Sequence, residues 1–122
     1  MPRLDGRFEQ AKKELESDPN IPNAGFESST RQTVGAGTVL DRYGALTGRF
    51  LGQPGATISE RGMAPGSQNM PYTQLRVIKP FDAQVGPAAG VNDFGATGGA
   101  KQYLPGRSIQ QLIDQGFLEV IK

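Results

Sequence analysis

The sequence predicts an α+β fold: small twisted antiparallel β-sheets with an N-terminal helix and a short helix near the C-terminus. Three observations carry that prediction. Short apolar runs of strand character recur between turns marked by Gly and Pro, of which the chain has 17 and 9 in 122 residues. Apolar residues spaced three and four apart occur near both ends. No repeat or domain boundary interrupts the pattern, so one compact domain is expected. A chain of this size buries roughly two-thirds of its unfolded surface, enough for one modest core.

The elements are expected in this order. Leu4, Phe8, Ala11 and Leu15 place one apolar face on a helix over residues 4–16, which Asp18-Pro19 ends. Residues 18–37 show no period and are rich in Asn, Pro, Ser, Thr and Gly, which predicts a loop. A strand runs from Thr38 to Gly44, and residues 48–55 form a strand end entering the Pro54-Gly55 turn. Ala56 to Glu60 reads as a short edge segment, and 62–72 as another loop. The clearest strand is Thr73 to Lys79, halted by Pro80, followed by a second from Phe81 to Val85. Gly and Ala dominate residues 86–100, and Lys101 to Leu104 forms a strand after them. Ser108 with Gln111 makes a capping box for a helix carrying Ile109, Leu112 and Ile113, and Gly116 stands at its C-terminal cap. Phe117 to Ile121 is the last strand.

Composition narrows the chemistry. A net charge of +1 without clustered Lys or Arg argues against nucleic acid and acidic membrane surfaces as partners. The absence of Cys excludes disulfides, thiolate catalysis and thiolate metal sites. The absence of His removes the usual base near neutral pH and most zinc sites. No metal site is expected. No apolar run reaches the roughly 20 residues of a membrane span, and no signal peptide is expected at Met1. Catalysis, if present, must use carboxylates, Arg, Gln, Tyr or the backbone.

Four features stand out. Arg42 ends an apolar strand before Tyr43-Gly44, Glu60-Arg61 sits in a Gly/Pro-flanked loop, Phe94 lies in a Gly-rich stretch, and Gln102 is a polar residue inside a short strand. Each also has a purely structural account. Arg42 pairs with Asp41 or Glu60, Phe94 plugs a loop onto the core, and Gln102 faces solvent. No Walker A loop or dinucleotide fingerprint is present.

The order of segments adds to these features. Leu40-Asp41-Arg42-Tyr43-Gly44, Gly48-Arg49-Phe50-Leu51, Pro54-Gly55-Ala56-Thr57, Glu60-Arg61, Pro71-Tyr72, Val77-Ile78-Lys79-Pro80, Gly86-Pro87-Ala88, Phe94-Gly95 and Gly98-Gly99-Ala100-Lys101-Gln102-Tyr103-Leu104-Pro105 follow one another. This succession resembles the TNT (tuberculosis necrotizing toxin) family of NAD⁺ glycohydrolases. The resemblance covers about Thr38 to the C-terminus, leaving residues 1–37 as an unmatched helix and loop and 38–122 as the TNT-like core.

It implies hydrolysis of NAD⁺ or NADP⁺ at the nicotinamide–ribose bond, with the dinucleotide as substrate and no cofactor. It implies a secreted toxin delivered into a target cell's cytoplasm as the C-terminal part of a longer effector, with a cognate immunity protein as partner. The family's functional positions fall here on Arg42, Phe50, Arg61 and Gln102. The family toxin also uses a His near the start of the long strand, where this chain has Tyr72 or Thr73.

On that resemblance, Gln102 and Arg42 are expected to be catalytic. Arg61, Phe50, Tyr43, Phe94, Gly98 and Gly99 are expected to bind substrate. Arg42 and Arg61 would grip phosphate oxygens with their planar forks of donors. Phe50 or Phe94 would stack on a ring. Gln102 would hold ribose hydroxyls or the attacking water, and Gly98-Gly99 would let the backbone approach the ligand closely. Glu60 and Asp93 are the nearest acids, without the carboxylate pair typical of glycosidases. Two rival expectations stay open: an ADP-ribosyltransferase relying on Glu119, and a non-enzymatic interaction module.

Overall fold

The computed structural model describes residues 25–91 and 95–122. The expected helix over 4–16, Asp93 and Phe94 lie outside these residues. Seven strands are present: β1 Thr30–Val34, β2 Val39–Tyr43, β3 Leu51–Gly52, β4 Tyr72–Val77, β5 Phe81–Pro87, β6 Lys101–Pro105 and β7 Leu118–Val120. One helix, α1 (Ile109–Asp114), and a 3-10 turn at Ser67–Asn69 complete the described elements. No described helix is long and apolar enough to cross a membrane.

The strands form one antiparallel sheet in the order β1-β5-β6-β3-β2-β4-β7, rather than several small sheets. The two-residue strand β3 joins the halves, pairing Gly52 with Asp41 of β2 and with Gln102 of β6. Strand β1 falls in the expected loop. Four of its five residues are exposed and only Val34 is buried, so no apolar alternation marks it. Its register with β5, Thr30 opposite Val85 through Val34 opposite Phe81, is a tertiary pairing. The expected edge segment at 56–60 is a run of turns. Strand β5 continues through Gly86-Pro87, two residues beyond the expected end.

The alternation of side chains divides the sheet into two faces. Leu40, Leu51, Leu75, Val77, Phe81, Ala83, Val85 and Tyr103 share a core with Ile109, Leu112 and Leu118, so α1 covers this face. The opposite face carries a smaller cluster of Phe26 and Leu104 with Phe50 against them.

Helix α1 has the predicted capping box. The Ser108 side chain accepts from the Gln111 N–H, and the Gln111 side chain accepts from the Ser108 N–H. Its C-terminus closes as a Schellman turn. The Gly116 N–H reaches the Ile113 carbonyl, the Phe117 N–H reaches Leu112, and Gly116 takes a φ of 80°. Ser108→Ala is expected to destabilise the protein by about 1 kcal/mol. A urea midpoint unchanged by this substitution would show that packing alone holds α1.

Candidate functional site

The face opposite α1 brings together Gln102, Arg61, Tyr43 and Phe50, four of the eight predicted site residues. Directly paired residues of neighbouring strands point to the same side of a sheet. Gly86 of β5, Gln102 of β6, Gly52 of β3, Asp41 of β2 and Gln74 of β4 therefore form one row across this face. Two of the five are glycines, and both positions are covered from above. A Cβ on Gly86 would strike the Ser28 carbonyl, so the segment around Phe26–Ser29 crosses there. A Cβ on Gly52 would lie 2.5 Å from Arg61 Nη1, so the loop after β3 crosses there. Gln102 stands between these two coverings, half-buried, with its Nε2 donating to the Gly25 carbonyl at 2.6 Å. Phe50 packs against Phe26, ring centroids 6.1 Å apart, and against Leu104, the next residue on the Gln102 side of β6.

Arg61, and not Arg42 as the structural account of the sequence expects, is the partner of Asp41. Asp41 is fully buried, and the Arg61 side chain is 7% exposed. Arg61 Nη1 donates to Asp41 Oδ1 at 2.5 Å and Nη2 to Oδ2 at 2.8 Å. Its remaining donors turn to the chain: Nε to the Ala56 carbonyl and Nη2 to the Gln53 carbonyl. The guanidinium also lies 5.0 Å from the Tyr43 ring centroid. Burial works against its charge, but the hydrogen bonds and field of Asp41 outweigh this and raise its pKa. Tyr72 donates its hydroxyl proton to Asp41 Oδ2 at 2.8 Å and accepts from Gln74 Nε2 at 3.1 Å. Burial first, and then Asp41, raise the Tyr72 pKa against the opposing donation from Gln74.

Arg42 points the other way. It alternates with Asp41 along β2 and shares the side of Leu40. Its Nε donates to the Ala45 carbonyl at 2.7 Å and Nη1 to the Phe50 carbonyl at 2.9 Å. Gly48 lies directly against the guanidinium, where any Cβ would collide with it. Burial lowers the Arg42 pKa. Arg42 thus organises the 44–50 loop and reaches the opposite face through the Phe50 backbone, whereas Arg61 and Gln102 share a face.

Gly98 and Gly99 differ from each other. Gly98, at φ 69°, is packed on its own chain, and a Cβ there would lie 2.5 Å from the Ala88 carbonyl oxygen. Gly99, at φ 96°, faces open space. The amides of residues 98–100 donate to the carbonyls of Ser59, Ala88 and Glu60. The close approach these glycines permit is therefore between the 57–63 turn and the 88–100 segment.

Glu60 caps that turn. Its carboxylate accepts from the Thr57 N–H at 2.9 Å, while the Thr57 hydroxyl accepts from the Glu60 N–H at 3.1 Å. The Thr57 N–H bond to the carboxylate lowers its pKa most, with the Thr57 side chain and the Arg61 charge acting in the same direction. With the folded pKa below the unfolded one, this contribution is complete above about pH 4.3 and disappears as pH falls through the folded value. Glu60→Gln is expected to melt below wild type at neutral pH, the two curves converging in acid. Parallel melting curves down to the acid limit would remove the cap's electrostatic role. Glu119, the late-strand acid, is bound to Arg76 at 2.6 Å on the edge strand β7, four strands from Gln102.

Two participants were missed by sequence reasoning: Asp41 and Gln74. The available signal for Asp41 was an acid placed in alternation with Tyr43 inside a strand pattern. For Tyr72 the sequence offers only its place in the region where the family has a His.

A family model described as Tuberculosis necrotizing toxin matches residues 33–121. No curated protein matches the chain. Solved structures share the fold, three of them as follows. Tuberculosis necrotizing toxin, complexed with its immunity factor IFT, matches with 24% identity and a TM-score of 0.64 over 80% of this chain. This chain spans 59% of that toxin's length. Tse6 in complex with Tsi6 matches with 20% identity and a TM-score of 0.58, covering 100% of this chain and 98% of that one. Rhs1-CT in complex with its cognate immunity protein RhsI1 matches with 14% identity and a TM-score of 0.64, covering 95% and 92%.

Proposed function

The chain belongs to the tuberculosis necrotizing toxin family, and from that premise we propose that it is a toxin domain that hydrolyses NAD⁺ or NADP⁺ to nicotinamide and the ADP-ribose product. The observation that carries this reading is the family match over residues 33–121, a span that contains every predicted site residue. The row of residues on the face opposite α1 supports it. Nicotinamide is already cationic in the dinucleotide and leaves without a proton, so a site free of His suffices. The demanding species is the oxocarbenium-like ribose left behind, which needs positioning and a placed water.

Gln102 is the residue proposed for that task. Its Nε2 is committed to the Gly25 carbonyl, which leaves Oε1 as the atom proposed to meet a ribose hydroxyl or the attacking water. Phe50, beside Leu104 on the same face, shields the reacting end from bulk water. Arg61 and Tyr43 supply the wall across Gly52. Arg42 serves by fixing the Phe50 backbone. Phe94, Gly98 and Gly99 complete the proposed binding set. The chain is further proposed to act inside a target cell, as the C-terminal part of a longer effector, and to be neutralised by a cognate immunity protein.

The test is nucleotide turnover by the purified chain. Release of free nicotinamide and ADP-ribose from NAD⁺, without any acceptor protein, is expected. Turnover that begins only when a protein acceptor is added would replace hydrolysis with ADP-ribosyl transfer. No loss of either nucleotide under both conditions would leave a non-enzymatic module.

A further inference from the structure

Two of the residues proposed for the reaction, Gln102 and Phe50, rest on one short segment. Residues 25–29 precede β1 and cross the face opposite α1 above Gly86. The segment is fastened along its length. Phe26 is fully buried and bridges to Ala88, the Glu27 N–H reaches the Pro87 carbonyl at 2.9 Å, and Gln84 Nε2 donates to the Ser29 hydroxyl at 2.8 Å. The Gly25 carbonyl accepts from the Ala89 N–H at 3.0 Å, and the same oxygen accepts from Gln102 Nε2 at 2.6 Å. Gly25 holds this place at a φ of 84°, in the left-handed region open to glycine. One residue on, the Phe26 ring packs against Phe50 and Leu104. The family model's match begins at residue 33, so the segment lies outside it.

We propose that Gly25 is a positioning residue for the reaction, its carbonyl holding the Gln102 carboxamide in the working orientation. This rests on the glycohydrolase reading, in which Gln102 Oε1 meets a ribose hydroxyl or the attacking water. A glutamine side chain has several torsions, and a free one on a sheet surface spreads over many rotamers. A bond at Nε2 removes most of that freedom, and the amide plane carries Oε1 with it. Such a bond orients its donor only if the acceptor is itself immobile. The Ala89 N–H on the same oxygen and the buried Phe26 beside it meet that condition. Orientation of this kind acts on the chemical step rather than on the grip on substrate, so its loss belongs in kcat and not in KM.

The experiment combines rates of nicotinamide release with the side-chain amide resonances of ¹⁵N-labelled protein, the Gln102 signal being identified by its absence in Gln102→Ala. In wild type the Gln102 Nε2 protons are expected to exchange with water more slowly than those of the exposed glutamines. Gly25→Val puts a β-branched residue at positive φ, where it is strained, and displaces the carbonyl. The Gln102 amide resonance should then shift, and kcat per folded molecule should fall on the order of ten-fold with KM little changed. Gly25→Asn, whose side chain tolerates the left-handed region, is expected to restore most of that loss. A folding defect alone would not divide kcat from KM among folded molecules. The proposal is overturned if the wild-type Gln102 amide exchanges like an exposed one, a measurement that needs no variant to fold. It is overturned equally if folded Gly25→Val keeps the wild-type kcat, or if Gly25→Asn falls as far as Gly25→Val. Should wild type release no nicotinamide while its Gln102 amide is protected and Gly25→Val shifts it, the hold on Gln102 stands and the glycohydrolase reading fails.

Discussion

Asp41→Asn is expected to destabilise the protein by about 3–5 kcal/mol, the cost of leaving a buried cation without its counter-charge. The carboxylate is fully buried and accepts from two Arg61 donors and the Tyr72 hydroxyl. An amide presents one acceptor oxygen where two are in use and turns an N–H₂ toward a guanidinium or a hydroxyl proton. The charge then remaining on Arg61, 7% exposed, has no anion beside it. At about 4 °C per kcal/mol for a chain of this size, the melting temperature should fall by roughly 12–20 °C.

The loss reflects the broken pair rather than the worth of an ion pair as such. Replacing both partners by apolar residues, Asp41→Leu with Arg61→Met, should recover much of it. Chemical denaturation of the two single variants and the double variant tests this as a cycle. A Asp41→Asn variant within about 1 kcal/mol of wild type would mean that water reaches Arg61 despite its burial.

Gln102→Ala is expected to reduce NAD⁺ turnover about a hundred-fold, the scale of losing one well-placed positioning group. Its effect on stability should be modest. The variant loses one hydrogen bond, to the Gly25 carbonyl, worth about 1 kcal/mol net. The contrast with Asp41 is the informative part: one substitution damages the fold first, the other the chemistry first. Measured at a temperature well below both melting transitions, initial rates of nicotinamide release separate the two effects. A Gln102→Ala enzyme that retains wild-type rates would remove Gln102 from the reaction, even with the family assignment standing. A stability loss as large as that of Asp41→Asn would recast Gln102 as a structural anchor for the Phe26 segment.

Local signals in the chain were sufficient for the elements whose causes are local. The Ser108–Gln111 box and the Gly116 turn are set by residues within one helix, and α1 forms where they stand. The alternation of Leu75 and Val77 places one face of β4 in the core because a strand has a period of two. The absence of His and Cys confined the chemistry before any contact was known. The succession of motifs from Leu40 to Pro105 also located Gln102, Arg61, Tyr43 and Phe50, four residues that the fold then set on one face or beside it.

Tertiary structure decided what depends on pairing between distant segments. Strand β1 exists because β5 lies beside it, and its exposed residues carry no periodic mark of their own. The single seven-stranded sheet depends on β3, a two-residue link too short to read from sequence. Arg42 and Arg61 appear equivalent as isolated guanidinium groups. Only register shows that Arg42 points to the α1 side while Arg61, twenty residues from its partner Asp41, lies over Gly52 on the other. A sequence gives the parity of a side chain within its own strand. It does not say which strands lie next to each other, and a buried charge takes its role from the neighbour that neutralises it.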